Sequence, residues 1–315
     1  MKERQKDRIG EIDFLKFVFI VLMIAFHLVY IGDTYPLAKQ FVYTFHMPAF
    51  LVISGFMINT RKPTLQMLRT MLWFLIPYAV MEAGYTCMAS VLPIREHVDA
   101  LTLPLLIEKI FVHPLGPYWY LHTLILCSLT YYLVFSFLKI NRLTLFILLG
   151  LIFYVYEHYL HIVSLPCALY FMAGAVVRQS GLAFLDVFRA SWLAIVPAVW
   201  MAFYPDNLHS STVAGVMITY LMMSFFLSVH GILPVRIAQS AHFIGRNTLP
   251  LLLFSPIFTA LAKLYQPHLL RVESTGMLFL VASLVITVGG CLFITFVMDR
   301  LHMSRYFFGR RKAMQ

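Results

Sequence analysis

The chain has 315 residues, of which 61% are hydrophobic and only 12% charged, against roughly 25% charged in an ordinary soluble domain. That composition excludes a soluble globular protein, a disordered chain and a collagen-like rod, and it reads as one polytopic membrane domain filling residues 1–315. A formal charge of +10 would suit nucleic acid, but the lysines and arginines gather in short loops and at both ends, so orientation in a bilayer explains them and no nucleic acid is expected.

In chain order, the basic stretch MKERQKDR leads into an apolar run. It resembles a secretory signal, yet no small-residue cleavage site follows, and an uncleaved first span is expected. Apolar runs near the 20 or so residues that cross a hydrocarbon core fall at 12–31, 41–58, 66–91, 117–138, 143–162, 164–178, 190–204, 212–231, 247–265 and 275–299, the sixth and seventh being short. The loops between them alternate in basic content. Clusters at the N-terminus, Arg61-Lys62 with Arg69, Lys139 with Arg142, Arg178 with Arg189, Arg236 with Arg246, and Arg305 with Arg310 to Lys312 fall on one side, which the positive-inside rule makes cytoplasmic. The expectation is an all-α integral membrane protein of about ten transmembrane helices, both termini cytoplasmic, in the plasma or inner membrane. The longest connection, 92–116, holds a moderately apolar stretch from Leu101 to Val112; it reads equally as an interfacial helix or lid on the outer face and as a surface loop. Cys87, Cys127, Cys167 and Cys291 lie in apolar runs without ligand spacing, so they read as packing residues and no metal is expected.

The first span carries Asp13, Lys16 and His27 on one stripe. Lys16 to His27 is eleven residues, which returns to nearly the same helical direction and climbs about 16 Å. Ionisable groups at membrane depth are costly and mark substrate, ion or proton paths. His46, at the start of the second span, should reach the same outer level as His27; headgroup solvation is its bland alternative. Ser54 and Gly55 read first as small residues that let another helix approach. Arg61 and Lys62 are topology determinants that can also meet phosphates. Arg69 should lie level with Lys16, so the two form either one anion site or a pair of snorkelling cations. Glu82 lies within the third span and needs a partner, either His27 or His46 or a structural cation. Trp119 and His122 line the same cavity or pack in the core. Glu157, His158 and His161 read as solvated. Walker, dinucleotide, HExxH and GxSxG motifs are absent from the sequence, which leaves nucleotide hydrolysis and the common serine and zinc hydrolases without support.

These residues resemble the acyltransferase 3 family of membrane-bound O-acyltransferases. The family's first span has a basic residue, ten residues and a histidine, as in Lys16 and His27. FHMPAFLVISGF at 45–56 is similar to its Phe-His-Met-Pro-x-Phe and Ser-Gly-Phe strings. Arg69 with Pro77-Tyr78, PYWYL at 117–121 and IGRNTL at 244–249 resemble later family motifs. Two positions depart from the pattern. Lysine replaces the usual arginine at Lys16, and Leu252 to Ser255 stands where many members have Tyr-Leu-Leu-His.

The resemblance implies transfer of an acyl group, usually acetyl, from cytoplasmic acyl-coenzyme A, typically acetyl-CoA, to a hydroxyl of an extracytoplasmic sugar, cell-envelope glycan or lipid-linked sugar. Lys16, Arg69 and Arg61 would hold the nucleotide phosphates. His27 would act as general base or transient acyl carrier, with His46 and Glu82 as catalytic partners and Trp119 and His122 facing substrate. A membrane transporter or exporter using the same polar stripe is the alternative reading, and an inert scaffolding subunit is a third.

Overall fold

The computed structural model describes residues 9–91 and 97–315, so the N-terminal basic cluster and the first residues of the 92–116 connection lie outside the described residues. It is 80% helical, with no strand among the described residues. A backbone amide in lipid has only protein to bond, and a helix satisfies its own, so apolar runs of this length become helices. They are α1 (Gly10–His27), α2 (Val29–Thr34), α3 (Pro36–Met57), α4 (Thr64–Val91), α5 (Leu103–Phe111), α6 (Trp119–Phe137), α7 (Arg142–His158), α8 (Leu165–Ser180), α9 (Phe184–Val187), α10 (Ile195–Ala202), α11 (Val213–Ile232), α12 (Val235–Arg246), α13 (Thr248–Val272), α14 (Met277–Arg300) and α15 (Ser304–Phe307).

Each of the ten apolar runs contains a helix, but among the described residues six are long and apolar enough to cross a membrane: α3, α4, α6 with its leading turn, α11, α13 and α14. α1 has 18 residues and carries Glu11, Asp13 and Lys16. α10 has eight residues, about 12 Å of helix against a core of about 30 Å.

Burial separates centre from rim. Of the α3 span 72% is buried, of α14 only 22%, so α3 is the axis of the bundle and α14 turns its side chains outward. α3 meets α8 backbone to backbone. A Cβ on Gly55 would lie 1.9 Å from Phe171 O, and one on Gly174 would lie 1.9 Å from Val52 O, so each helix offers a glycine to the other, the small-residue contact typical of membrane helices. Pro48 sits inside α3 and has no N–H to give the Thr44 carbonyl. Thr219 of α11 gives its hydroxyl proton to Gly215 O at 2.8 Å, with the Thr44 carbonyl 3.4 Å from the same oxygen.

Two packing features have no apolar signature. α12 folds back along α1, where a Cβ on Gly245 would meet Asp13 O at 1.8 Å. The last residues return to the start of α13: Asp299 accepts from Ala313 N and Met314 N at 2.8 and 3.1 Å, and Asn247 exchanges bonds of 3.0 and 3.1 Å with the Gln315 backbone. The 92–116 connection forms α5, which has no buried side chain but is tied down through its backbone. Tyr78 donates to Ile110 O at 2.7 Å and Glu82 accepts from Leu115 N at 2.7 Å.

Candidate active site

α1 stops at His27 because Leu28 turns extended (φ −70°, ψ 107°). That places a half-buried imidazole at a helix break, eleven residues and about 16 Å of helix from Lys16. His27 Nδ1 lies 2.7 Å from Met23 O, and His46 Nδ1 lies 2.8 Å from Val42 O. A carbonyl can only accept, so both rings carry their proton on Nδ1 and present the Nε2 lone pair. The two rings are joined through Tyr43, whose centroid is 6.2 Å from His27 and 5.2 Å from His46. The Tyr43 hydroxyl donates to Phe26 O at 3.2 Å, and Lys39 Nζ stands 5.8 Å from its ring.

His46 is 2% exposed, and its Nε2 is buried without a hydrogen-bond partner among the described residues. Such an atom forfeits its hydration for nothing unless a ligand or reacting group supplies the donor. Two turns along α3, Ser54 Oγ bonds the Tyr120 hydroxyl of α6 at 2.8 Å. Ser54 is thus a hydrogen-bonding residue, and Gly55 alone makes the close helix contact. Trp119 packs edge-on to Tyr120, 6.3 Å between centroids.

At the opposite end of α1, Lys16 Nζ lies 2.7 Å from Asp13 Oδ1 and Arg246 Nε lies 3.2 Å from Asp13 Oδ2. One carboxylate holds two cations, so the cluster keeps a net positive charge. Arg246 brings a guanidinium fork to the lysine. The Arg69 guanidinium is exposed on α4 and makes no hydrogen bond or ion pair among the described residues. Arg61 lies in a separate recess with Lys62 and Arg142.

Glu82 and His122 are each bonded to the α5 connection. Glu82 Oε1 accepts from Leu115 N, and from Thr86 Oγ1 at 3.5 Å. His122 Nε2 donates to Phe111 O at 2.9 Å, which fixes the tautomer opposite to that of His27 and His46. Sequence reasoning passed over Tyr43 and undervalued Arg246. Tyr43 had a signal, since it stands one helical turn before His46. Arg246 reads only as a loop charge until α12 is seen against α1.

The sequence model of the acyltransferase 3 family, described as an acyltransferase domain, matches residues 9–296. Comparison with curated proteins and with solved structures returns no match. The family match takes in α1 through most of α14 and every candidate residue named above, and the chain belongs to the acyltransferase 3 family of membrane acyltransferases, which transfer acyl groups other than amino-acyl groups.

Proposed function

We propose that the protein is an O-acyltransferase, most simply an O-acetyltransferase, that takes its acyl group from cytoplasmic acyl-CoA and places it on a hydroxyl of an extracytoplasmic sugar or cell-envelope glycan. In this reading ten helices cross the plasma or inner membrane and both termini face the cytoplasm. Lys16, with Arg246 beside it, and Arg69 and Arg61 meet the donor's phosphates. His27 Nε2 removes the proton as the acceptor oxygen attacks the thioester carbonyl. The carbon–sulfur bond breaks, and the imidazolium returns that proton to the departing thiolate. His46 Nε2, which can only accept, takes a hydrogen bond from an N–H or O–H of the bound substrate, and Tyr43 holds the two rings in register. Glu82 and His122 act at one remove by fixing the α5 connection. An acyl-histidine route uses the same Nε2 lone pair.

The observation that carries this reading is the pair of imidazoles locked as Nδ1–H tautomers around Tyr43, at the end of the helix whose other end holds a net cation. The test is to incubate purified protein with labelled acetyl-CoA and lipid-linked or soluble glycans. His27→Ala should abolish transfer while abundance and topology stay unchanged; wild-type transfer by that variant would remove His27 from the mechanism. Label retained on the protein before acceptor is added marks an acyl-enzyme, and its absence marks direct attack.

A further inference from the structure

The turn between α3 and α4 closes a recess of about 540 Å³ with the C-terminal end of α6, the N-terminal end of α7 and Gln179 of α8. Arg61, Lys62 and Arg142 line it, and no carboxylate does among the described residues. Its walls are held by hydrogen bonds. Tyr132 donates to Lys62 O and Ser136 donates to Thr60 O, both at 2.8 Å. Arg142 Nη1 donates to Gln179 O at 2.5 Å, and Gln179 Nε2 donates to the Tyr131 hydroxyl at 2.7 Å. The Arg61 and Lys62 side chains are exposed and make no ion pair or hydrogen bond among the described residues. Phe137 and Ile140 at the rim are 59% and 49% exposed.

Loop cations that only set topology need no fixed backbone and no cavity. Here three cationic side chains line one volume in the range of small-molecule sites, on a turn whose backbone carbonyls are held by Tyr132 and Ser136, with exposed apolar side chains beside it. We infer that this recess binds a phosphate-bearing ligand, its anionic oxygens met by Arg61, Lys62 and Arg142 and its remainder lying against Phe137 and Ile140. Two sources offer that chemistry: an anionic lipid headgroup, or the nucleotide end of the acyl donor, the second resting on the function proposed above.

The probes are phosphatidylglycerol against phosphatidylcholine in nanodiscs, and adenosine 3′,5′-bisphosphate in solution, each read as binding to the full-length protein rather than as turnover. Failure of acyl transfer therefore leaves the result interpretable. The working variant is Arg61→Gln with Lys62→Gln, which removes two exposed charges and keeps the backbone carbonyls that Tyr132 and Ser136 hold. Wild type should prefer phosphatidylglycerol or bind the bisphosphate, and the double variant should lose that binding about tenfold or more. Lys263→Gln with Arg271→Gln, an equal loss of charge outside the recess, should leave it unchanged. Competition of the bisphosphate against phosphatidylglycerol assigns the site to the nucleotide; lipid preference without competition assigns it to the headgroup. Equal loss in both double variants, or no anion preference in wild type, overturns the inference.

Discussion

Replacing Gly55 by alanine sets two effects of opposite sign against each other. Inside a helix alanine is about 1 kcal/mol better than glycine, so propensity alone predicts a more stable protein. The new Cβ, however, would stand 1.9 Å from Phe171 O and 3.0 Å from Ala175 N, where ordinary contact begins near 3.4 Å. The α3–α8 seam must therefore part by about 1.5 Å, more than the roughly 0.5–1 Å gap that already forfeits a quarter to a half of a dispersion contact. Overpacking of this kind costs about 1–3 kcal/mol, and 72% burial of the α3 span leaves little room to relax. A net loss of about 2 kcal/mol is expected, and a similar loss for Gly174→Ala, whose Cβ meets Val52 O at 1.9 Å. Once one methyl has opened the seam the second enters at little further cost, so the double variant should fall well short of the sum. Unfolding of purified protein in mixed micelles gives the three values. Acyl transfer should also fall, because His46 lies nine residues back on α3 and a shift of about 1 Å at reacting groups costs on the order of 100-fold in rate. Wild-type stability in Gly55→Ala, or strict additivity of the two losses, would refute the reasoning.

Asp13→Asn should destabilise by about 2 kcal/mol, below the 3–5 of a fully buried pair because the Arg246 side chain is 36% exposed; adding Lys16→Met should restore stability but not acyl transfer, and both are read by unfolding and turnover. Glu82→Gln should keep an acceptor for Leu115 N and leave hydrogen exchange over α5 near wild type, whereas Glu82→Ala should speed it; equal loss of activity in both variants with unchanged exchange would instead give Glu82 a charge-dependent role at the histidines. His230 Nε2 and His242 Nε2 are 2.9 Å apart, so one ring donates to a neutral partner. Burial first, then His230, holds the His242 pKa below 6.5, with Arg246 acting the same way and Asp13 and Glu11 opposing. A histidine whose folded pKa is lowered contributes stability that is full above the unfolded pKa and is lost as pH falls through the folded one. The melting temperature of wild type should therefore drop on acidification below pH 6.5 by more than that of His242→Gln, as followed by tryptophan fluorescence.

Apolar runs were legible as helices because the bilayer leaves them no alternative. How many cross is not read from the runs alone, since among the described residues six helices are long and apolar enough, and eight-residue α10 and charge-bearing α1 are not among them. The nearness of His27 and His46 was expected from one span ending where the next begins, but α3 starts at Pro36 and His46 stands ten residues into it, each ring within contact of Tyr43. Tyr43 between them was not expected, because its role depends on which way one turn of α3 faces. Lys16 was legible as a costly cation, but its first partner stands three residues away on its own helix, in Asp13, and its second arrives from α12, whose chain reversal no hydropathy window records. Glu82 was legible as a buried acid in need of a bond. That the bond comes from the Leu115 amide could not be read, because the contact depends on where a 92–116 connection of mixed character comes to rest.

The two imidazoles share a tautomer but not an exposure, and in the function proposed above this difference divides their roles. Each Nδ1 is spent on the carbonyl one turn earlier, so each ring can act only through Nε2. For His46 that atom is sealed inside the bundle, 2% exposed and without a partner among the described residues, out of reach of a bulky acceptor. His27 is half-buried at a break between two helices, where an acceptor hydroxyl can approach and a protonated ring can later release its charge. In the proposed reaction a base must meet its substrate, whereas a buried Nε2 lone pair accepts a hydrogen bond from a substrate N–H or O–H, an interaction that exclusion of water strengthens. The same division explains why Tyr43 lies between the rings rather than at one side. Its ring packs against both imidazoles, and its hydroxyl, bonded to Phe26 O beside His27, ties the third turn of α3 to the end of α1.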